Sequence, residues 1–268
     1  MSNYKDTFKG TAWYYARFRE GYPDEFFELL ENKFSLSEND RVLDLGCGTG
    51  QIAIPMSRLV KEVLAMDPEP EMIAEGKEQT ASKGIQNIIW VEGGSDDLSD
   101  FRDTLGRFKL VTIGTAFHWM DRKRVLDELY EIISNDGGIA IAWNTSIWTY
   151  REYEWLTTVR ELIRKYLGEE RRAGSGTFNV APIKHELFVA GSSFNKVETW
   201  KYHWERSVTL DELIGNLYST SMANPCVLGD KKEAFESELR EALAYLESPD
   251  GFRSEGDAET ILAWKRDI

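Results

Sequence analysis

The residues with the clearest chemical character lie in the run Val42 to Gly50, VLDLGCGTG. Asp44, Gly46, Cys47, Gly48, Thr49 and Gly50 fall where a short apolar strand hands over to a helix. Glycine at such a turn allows a close approach to a ligand that any side chain would block. Asp67 closes the next apolar run, VLAMD. There a carboxylate accepts both hydroxyls of a ribose, or else caps the helix that begins near Glu69. The third group is Ala116-Phe117-His118-Trp119, directly after the run Leu110 to Gly114. Ligands of open α/β sheets bind at the carboxyl ends of the strands. His118 is therefore the best placed of the three histidines. It takes a proton from an acceptor, or packs beneath a ligand and bonds the backbone.

A glycine turn plus a strand-end acid is shared by several nucleotide-binding chemistries. The dinucleotide fingerprint is G-x-G-x-x-G, whereas Gly46, Gly48 and Gly50 give G-x-G-x-G. That spacing weighs against a nicotinamide oxidoreductase, the first alternative. A cofactor-binding, non-catalytic regulator is the second, because no indispensable acid or base stands out.

The elements that must hold these residues alternate. Phe26, Leu29, Leu30 and Phe34 recur at helical spacing after Pro23. Strands are expected at Arg41 to Leu45, Glu62 to Met66, Asn87 to Val91, Leu110 to Gly114 and Ile139 to Trp143, and helices at Gln51 to Val60, Glu69 to Ser82 and Arg122 to Ile133. The turn Asn135-Asp136-Gly137-Gly138 precedes the fifth strand. Alternation of this kind predicts a parallel, doubly wound α/β sheet. After Asn144 it breaks into an aromatic, charged stretch through Trp148, Tyr150, Tyr153 and Trp155, then the loop RRAGSGTF, which reads as a helical cap. Val197 to Val208 and Ala258 to Lys265 supply two late strands, with helices from Leu210 and Lys231 between them. The expectation is one domain. It has a lid and packing helix over 1–35, a cofactor core over 36–144, a cap over 145–192, and C-terminal strands and helices over 193–268.

With 32 basic and 46 acidic residues the net charge is -14. Such a surface repels phosphate backbones and anionic lipid heads, so neither nucleic acid nor membrane is an expected partner. Cys47 and Cys226 are the two cysteines; they make no disulfide framework, and no Cys/His spacing points to a metal. No signal peptide or membrane span is read, and a cytoplasmic setting is expected. His185 and His203 have no partner by spacing and are expected to be structural or exposed.

Together VLDLGCGTG, VLAMDPEPEMI, VEGGSDDL, FKLVTIGTAFHWMD and ISNDGGIAIAWN resemble the successive motifs of class I S-adenosylmethionine-dependent methyltransferases. The likeness, over about Tyr14 to Asn144, is to the small-molecule branch that includes trans-aconitate methyltransferase-like enzymes. It implies a Rossmann-like sheet of seven strands, mostly parallel with an antiparallel last strand, plus the helical cap. It also implies S-adenosylmethionine as cofactor, S-adenosylhomocysteine as product, and a small-molecule methyl acceptor for a monomer or homodimer. In the family the residues matching Asp44 to Gly50 hold the methionine part, Asp67 the ribose, and Pro68 and Met72 the adenine faces. Ser95 with Asp96 or Asp97 would meet the adenine amino group; the same acids otherwise read as a solvated helix start. Ala116, Phe117, His118 and Trp119 lie by the cofactor. The run Trp13 to Tyr22 resembles the lid, with Tyr14 and Arg17 toward the cofactor and Tyr15 and Arg19 toward the acceptor. Trp119, Trp143, Asn144 and Trp148 are the expected acceptor wall, or core packing.

Overall fold

A computed structural model describes residues 7–144, 153–170, 172–173, 176–177 and 184–265. In chain order the elements are α1 (Ala12–Phe18), α2 (Asp24–Phe34), β1 (Arg41–Leu45), α3 (Ala53–Met56), β2 (Glu62–Asp67), α4 (Pro70–Ser82), β3 (Ile88–Glu92), α5 (Leu98–Leu105), β4 (Phe108–Gly114), α6 (Arg122–Ile132) and β5 (Ile133–Asn144). There follow α7 (Glu154–Leu167), β6 (Arg172–Ala173), β7 (Gly176–Thr177), α8 (His185–Ala190), β8 (Val197–Val208), α9 (Leu210–Tyr218), α10 (Pro225–Leu228), α11 (Lys232–Leu243) and β9 (Phe252–Trp264).

Seven strands form one sheet in the order β3-β2-β1-β4-β5-β9-β8. β1, β2, β3, β4 and β5 pair in parallel, and the last two strands run antiparallel, as the sequence implies. The order reverses between β1 and β4, the switch point at whose carboxyl ends open α/β sheets bind their ligands. β1 is central and shielded on both faces: Val42, Leu43 and Leu45 are fully buried, and Asp44 between them is buried as well.

Packing divides the described residues into two compact units, and the chain passes from one to the other between Arg19 and Glu20, Trp143 and Asn144, Asn179 and Val180, Lys201 and Tyr202, and Ala258 and Glu259. One unit takes its residues from Met1–Arg19, Asn144–Asn179 and Tyr202–Ala258. Its core joins Leu162 and Ile163 of α7, Leu213 and Leu217 of α9, and Phe235 and Leu239 of α11. Phe18 of α1 lies so close to Gly215 of α9 that a Cβ there would meet its ring at 2.3 Å. The other unit takes its residues from Glu20–Trp143, Val180–Lys201 and Glu259–Ile268. It holds the cofactor motifs and buries apolar residues in two clusters, one with Leu126 and Leu129 of α6, the other with Phe26 and Leu30 of α2. α8, read from sequence as cap, belongs here through buried Val189.

Several boundaries differ from the sequence reading. α3 is one turn, not ten residues; after Pro55 the chain tightens to bonds from Arg58 to Pro55 and from Leu59 to Met56. The turn at 135–138 lies within β5: Phe108 pairs with Ile133 and Leu110 with Gly138, so residues 134–137 loop out opposite Lys109. Asp136 in that bulge bonds Lys109 at 2.6 Å. β9 starts at Phe252, not Ala258, because its polar first half finds charged partners on β8, such as Arg253 with Glu205. The loop RRAGSGTF contains the two-stranded pairing of Arg172 with Thr177 and Ala173 with Gly176.

One large side chain locks the cofactor side of the sheet. Trp90 of β3 lies beneath both α4 and the glycine turn, where a Cβ on Gly76 would fall 2.3 Å from its ring and one on Gly50 2.8 Å. Rings and helix backbone do not yield by that much without shifting the element. Gly76→Ala is expected to cost about 2 kcal/mol of unfolding free energy in denaturant titration, against a helix-propensity gain of about 1 kcal/mol at an unconstrained site.

Candidate active site

The turn after β1 is fixed from below by two carboxylates. Asp44 is buried; its Oδ1 accepts from the Thr112 hydroxyl of β4 at 2.8 Å, and its Oδ2 from the Ala53 N–H at 3.1 Å. Asp44 thus joins β1, β4 and the start of α3, and burial pushes its pKa up to about 7. Asp67, at the end of β2, accepts the Gly48 N–H on Oδ2 and the Glu69 N–H on Oδ1, each at 2.9 Å. Burial raises its pKa to about 6 against those two bonds. The ribose reading and the helix-start reading of Asp67 are therefore compatible. A carboxylate offers about four lone-pair positions, and the two N–H groups take two.

The glycines answer to different constraints. Gly46 has φ +73°, and a Cβ would lie 2.6 Å from the Ala116 methyl; Gly50 has φ +97° and abuts Trp90. Gly48 supplies the N–H that Asp67 holds. Cys47 and Thr49 are buried, and burial pushes the Cys47 thiol well up. Thr49 and Gln51 bond through their side chains at 2.9 Å. Pro68 is exposed and Met72 buried on α4.

The acids of the next loop separate clearly. Asp96 pairs with Arg124 of α6, which also bonds the Ser95 carbonyl at 3.2 Å. Asp97 turns back on its own loop to accept the Gly94 N–H at 2.8 Å, and a Cβ on Gly94 would meet Pro68 at 3.5 Å. Nothing in the sequence spacing marks Arg124 as the partner of Asp96.

Beyond β4 the chain makes a 3-10 turn, Phe117–Trp119. Ala116 presses toward Gly46, Phe117 is buried, and His118 and Trp119 are partly exposed with ring centroids 4.7 Å apart. Trp143 and Asn144 end β5. His185, without a partner by spacing, is half-buried edge-on to both Phe117 at 5.2 Å and Trp143 at 5.3 Å. Burial first, then the Arg122 charge, lowers its pKa.

The expected lid residues belong to the other unit. There Tyr14 lies edge-on to Tyr218 at 5.2 Å, Arg17 bonds the Trp13 carbonyl and covers its ring, and Arg19 lies over Tyr15. Trp148 and Tyr150 lie outside the described residues. In the same unit His203, also expected to be alone, meets Asp257 at 3.1 Å, Glu205 at 3.5 Å and Glu255 at 3.7 Å. That acidic group is compensated by Arg253 and by the Tyr153 hydroxyl, which donates to Glu255 at 2.6 Å. Among the described residues no helix is long and apolar enough to cross a membrane.

Residues 42–137 match the model of a methyltransferase domain. An uncharacterised methyltransferase of Schizosaccharomyces pombe is 26% identical over 241 residues, 88% of this chain and 87% of that protein. CRG1 of Saccharomyces cerevisiae, which carries the description probable S-adenosylmethionine-dependent methyltransferase, is 24% identical over 169 residues, 59% of this chain and 56% of that one. Residues 42–137 thus form a methyltransferase domain, and the chain is similar to class I S-adenosylmethionine-dependent methyltransferases. In fold it matches the Haemonchus contortus phosphoethanolamine N-methyltransferase 2, solved with phosphomonomethylethanolamine and S-adenosylhomocysteine. The TM-score is 0.55 and the identity 13%, over 99% of this chain and 60% of that one.

The methyltransferase takes S-adenosylmethionine as its cofactor, and the residues present fit it. The turn is free of side chains at Gly46 and Gly48, and the Asp67 carboxylate keeps lone pairs for a diol. Two pH effects follow. Were a ribose diol to donate to Asp67, it would favour the ionised carboxylate, and affinity for S-adenosylhomocysteine would fall on the order of tenfold from pH 8 to pH 5, as protonation sets in near pH 6. Asp67→Asn removes that dependence and weakens binding at pH 8; calorimetry reads both. Asp44, with its pKa raised in the folded state, binds more protons folded than unfolded between about pH 4 and 7, so its charge costs stability as pH rises. Asp44→Asn is therefore expected to raise the thermal midpoint relative to the parent at pH 8, with the gain fading toward pH 4.

Proposed function

We propose that this methyltransferase transfers the methyl group to a small-molecule acceptor by direct in-line displacement. The observation that supports it best is the juxtaposition of two turns in one unit, with Ala116 against Gly46 and His118 and Trp119 following directly. An acceptor held by the second turn would thus lie beside a cofactor held by the first. The net charge of -14 supports a small acceptor over a polyanion.

When bound, the cofactor supplies a sulfonium-activated methyl group and leaves as the thioether. Residues Asp44 to Gly50 form the seat of its methionine part, and Asp67 accepts from the ribose. Pro68 and Met72 flank the adenine, and the Ser95 to Asp97 loop meets its amino group through Asp96, which Arg124 holds, or Asp97, which the Gly94 N–H holds. Trp119 and Trp143 wall the acceptor side and exclude water, and Phe117 packs beneath. His118 removes the proton that an alcohol, phenol or amine sheds as its lone pair bonds to the methyl carbon; a carboxylate sheds none. The chain contributes chiefly alignment.

A panel of small carboxylates, phenols and amines, beside RNA and peptide, with methyl-labelled cofactor tests this reading. Polycarboxylates come first because of the resemblance to trans-aconitate methyltransferase-like enzymes. Label in a small molecule, with inversion of a chiral methyl group, is expected; label in RNA alone, or retention, would sink the proposal. With a protic acceptor, His118→Ala is expected to lower kcat about a hundredfold and to leave S-adenosylhomocysteine affinity within about twofold.

A further inference from the structure

We propose that Tyr22 and Thr115 form a positioning pair that holds the turn after β4 against the cofactor turn, and that Thr115 keeps a strained backbone for that purpose. Neither residue stood out in the sequence for this role. Both belong to the unit that carries the cofactor motifs.

Thr115 has φ +52°, one of two non-glycine residues with positive φ among those described. For a β-branched residue this conformation is a genuine outlier, which persists only where its surroundings over-determine it. Three contacts do so. The Thr115 N–H donates to the Ala142 carbonyl of β5 at 2.7 Å. Its Oγ1 pairs with the Tyr22 hydroxyl at 3.2 Å, and the same hydroxyl reaches the Ala142 carbonyl at 3.5 Å. Tyr22 is itself held by stacking on Phe26 of α2, ring centroids 4.7 Å apart.

Space around the hydroxyl is reserved for it. A Cβ on Gly114 would lie 3.0 Å from the Tyr22 oxygen and 2.7 Å from Ile52 Cδ1. Glycine at 114 lets the tyrosine reach the strand end, and the left-handed residue after it reverses the chain. Ala116 then arrives 2.6 Å from where a Gly46 Cβ would stand. The fold itself needs no threonine here, since glycine adopts this φ without strain. What threonine adds is the hydroxyl that Tyr22 grips, and through it a fixed distance between the turns that face the cofactor.

The test uses the full chain, S-adenosylhomocysteine as the probe, and three variants: Tyr22→Phe, Thr115→Gly and the double substitution. Tyr22→Phe is expected to weaken S-adenosylhomocysteine binding about fivefold, the worth of one hydrogen bond, with the thermal midpoint within about 2 °C. Thr115→Gly is expected to raise the midpoint by a few degrees as strain is released, and yet to weaken binding by a similar factor. The double variant should bind no worse than Thr115→Gly alone, because the two hydroxyls act as one unit. A purely architectural pair would move the midpoint and leave affinity alone. Affinity within twofold of the parent in both single variants overturns the proposal, and so does strict additivity in the double one. Thr115→Gly keeps the test decisive even if Tyr22→Phe fails to fold.

Discussion

Beyond the carboxyl end of a parallel strand the backbone N–H groups lose their ladder partners, and here the carboxylates of Asp44 and Asp67 take them up. Asp44 binds the start of α3 to β1 and β4, while Asp67 binds the glycine turn to the end of β2 and the approach to α4. Without these links the chain leaving β1 would have apolar packing but no fixed path. The cost is two largely shielded carboxylates whose pKa values rise toward neutrality. That cost is tolerable where a polar ligand provides further hydrogen bonds to one of them.

Packing completes what the carboxylates begin. Trp90 from below and Ala116 from the side leave no room for side chains at Gly50 and Gly46. The glycine pattern is thus read twice, once as open space for a cofactor and once as close contact within the protein. The second reading explains why the motif needs glycine even on the side away from any ligand. The strained Thr115 extends the same logic to the neighbouring turn, where a polar grip fixes the backbone that packing alone would leave adjustable.

The two units divide the sequence motifs between them. The unit with β1 to β5 carries the glycine turn, Asp67, the 95–97 loop and the turn at 115–119, all attached to rigid strand ends. The other unit holds Tyr14, Tyr15 and Arg17 on α1 and Arg19 directly after it, in contacts with that helix and with α9. Its charged ladder around His203 and Glu255 satisfies itself through Arg253 and Tyr153. Charge balance of this kind lets the polar half of β9 remain a strand.

The sequence by itself determined the parallel core and the glycine turn at the end of its first strand, because apolar periodicity and glycine spacing are local consequences of backbone geometry. The places of Asp44, Gly46 and Asp67 at or near strand ends were legible for that reason. Only the tertiary structure decided which polar atoms meet: Arg124 with Asp96, His185 between Phe117 and Trp143, and Tyr22 with Thr115, 93 residues away. It also decided that 134–137 bulge within a strand and that β9 begins six residues before Ala258. Such pairings are set by where the sheet order brings distant segments together, and no spacing along one chain encodes that distance.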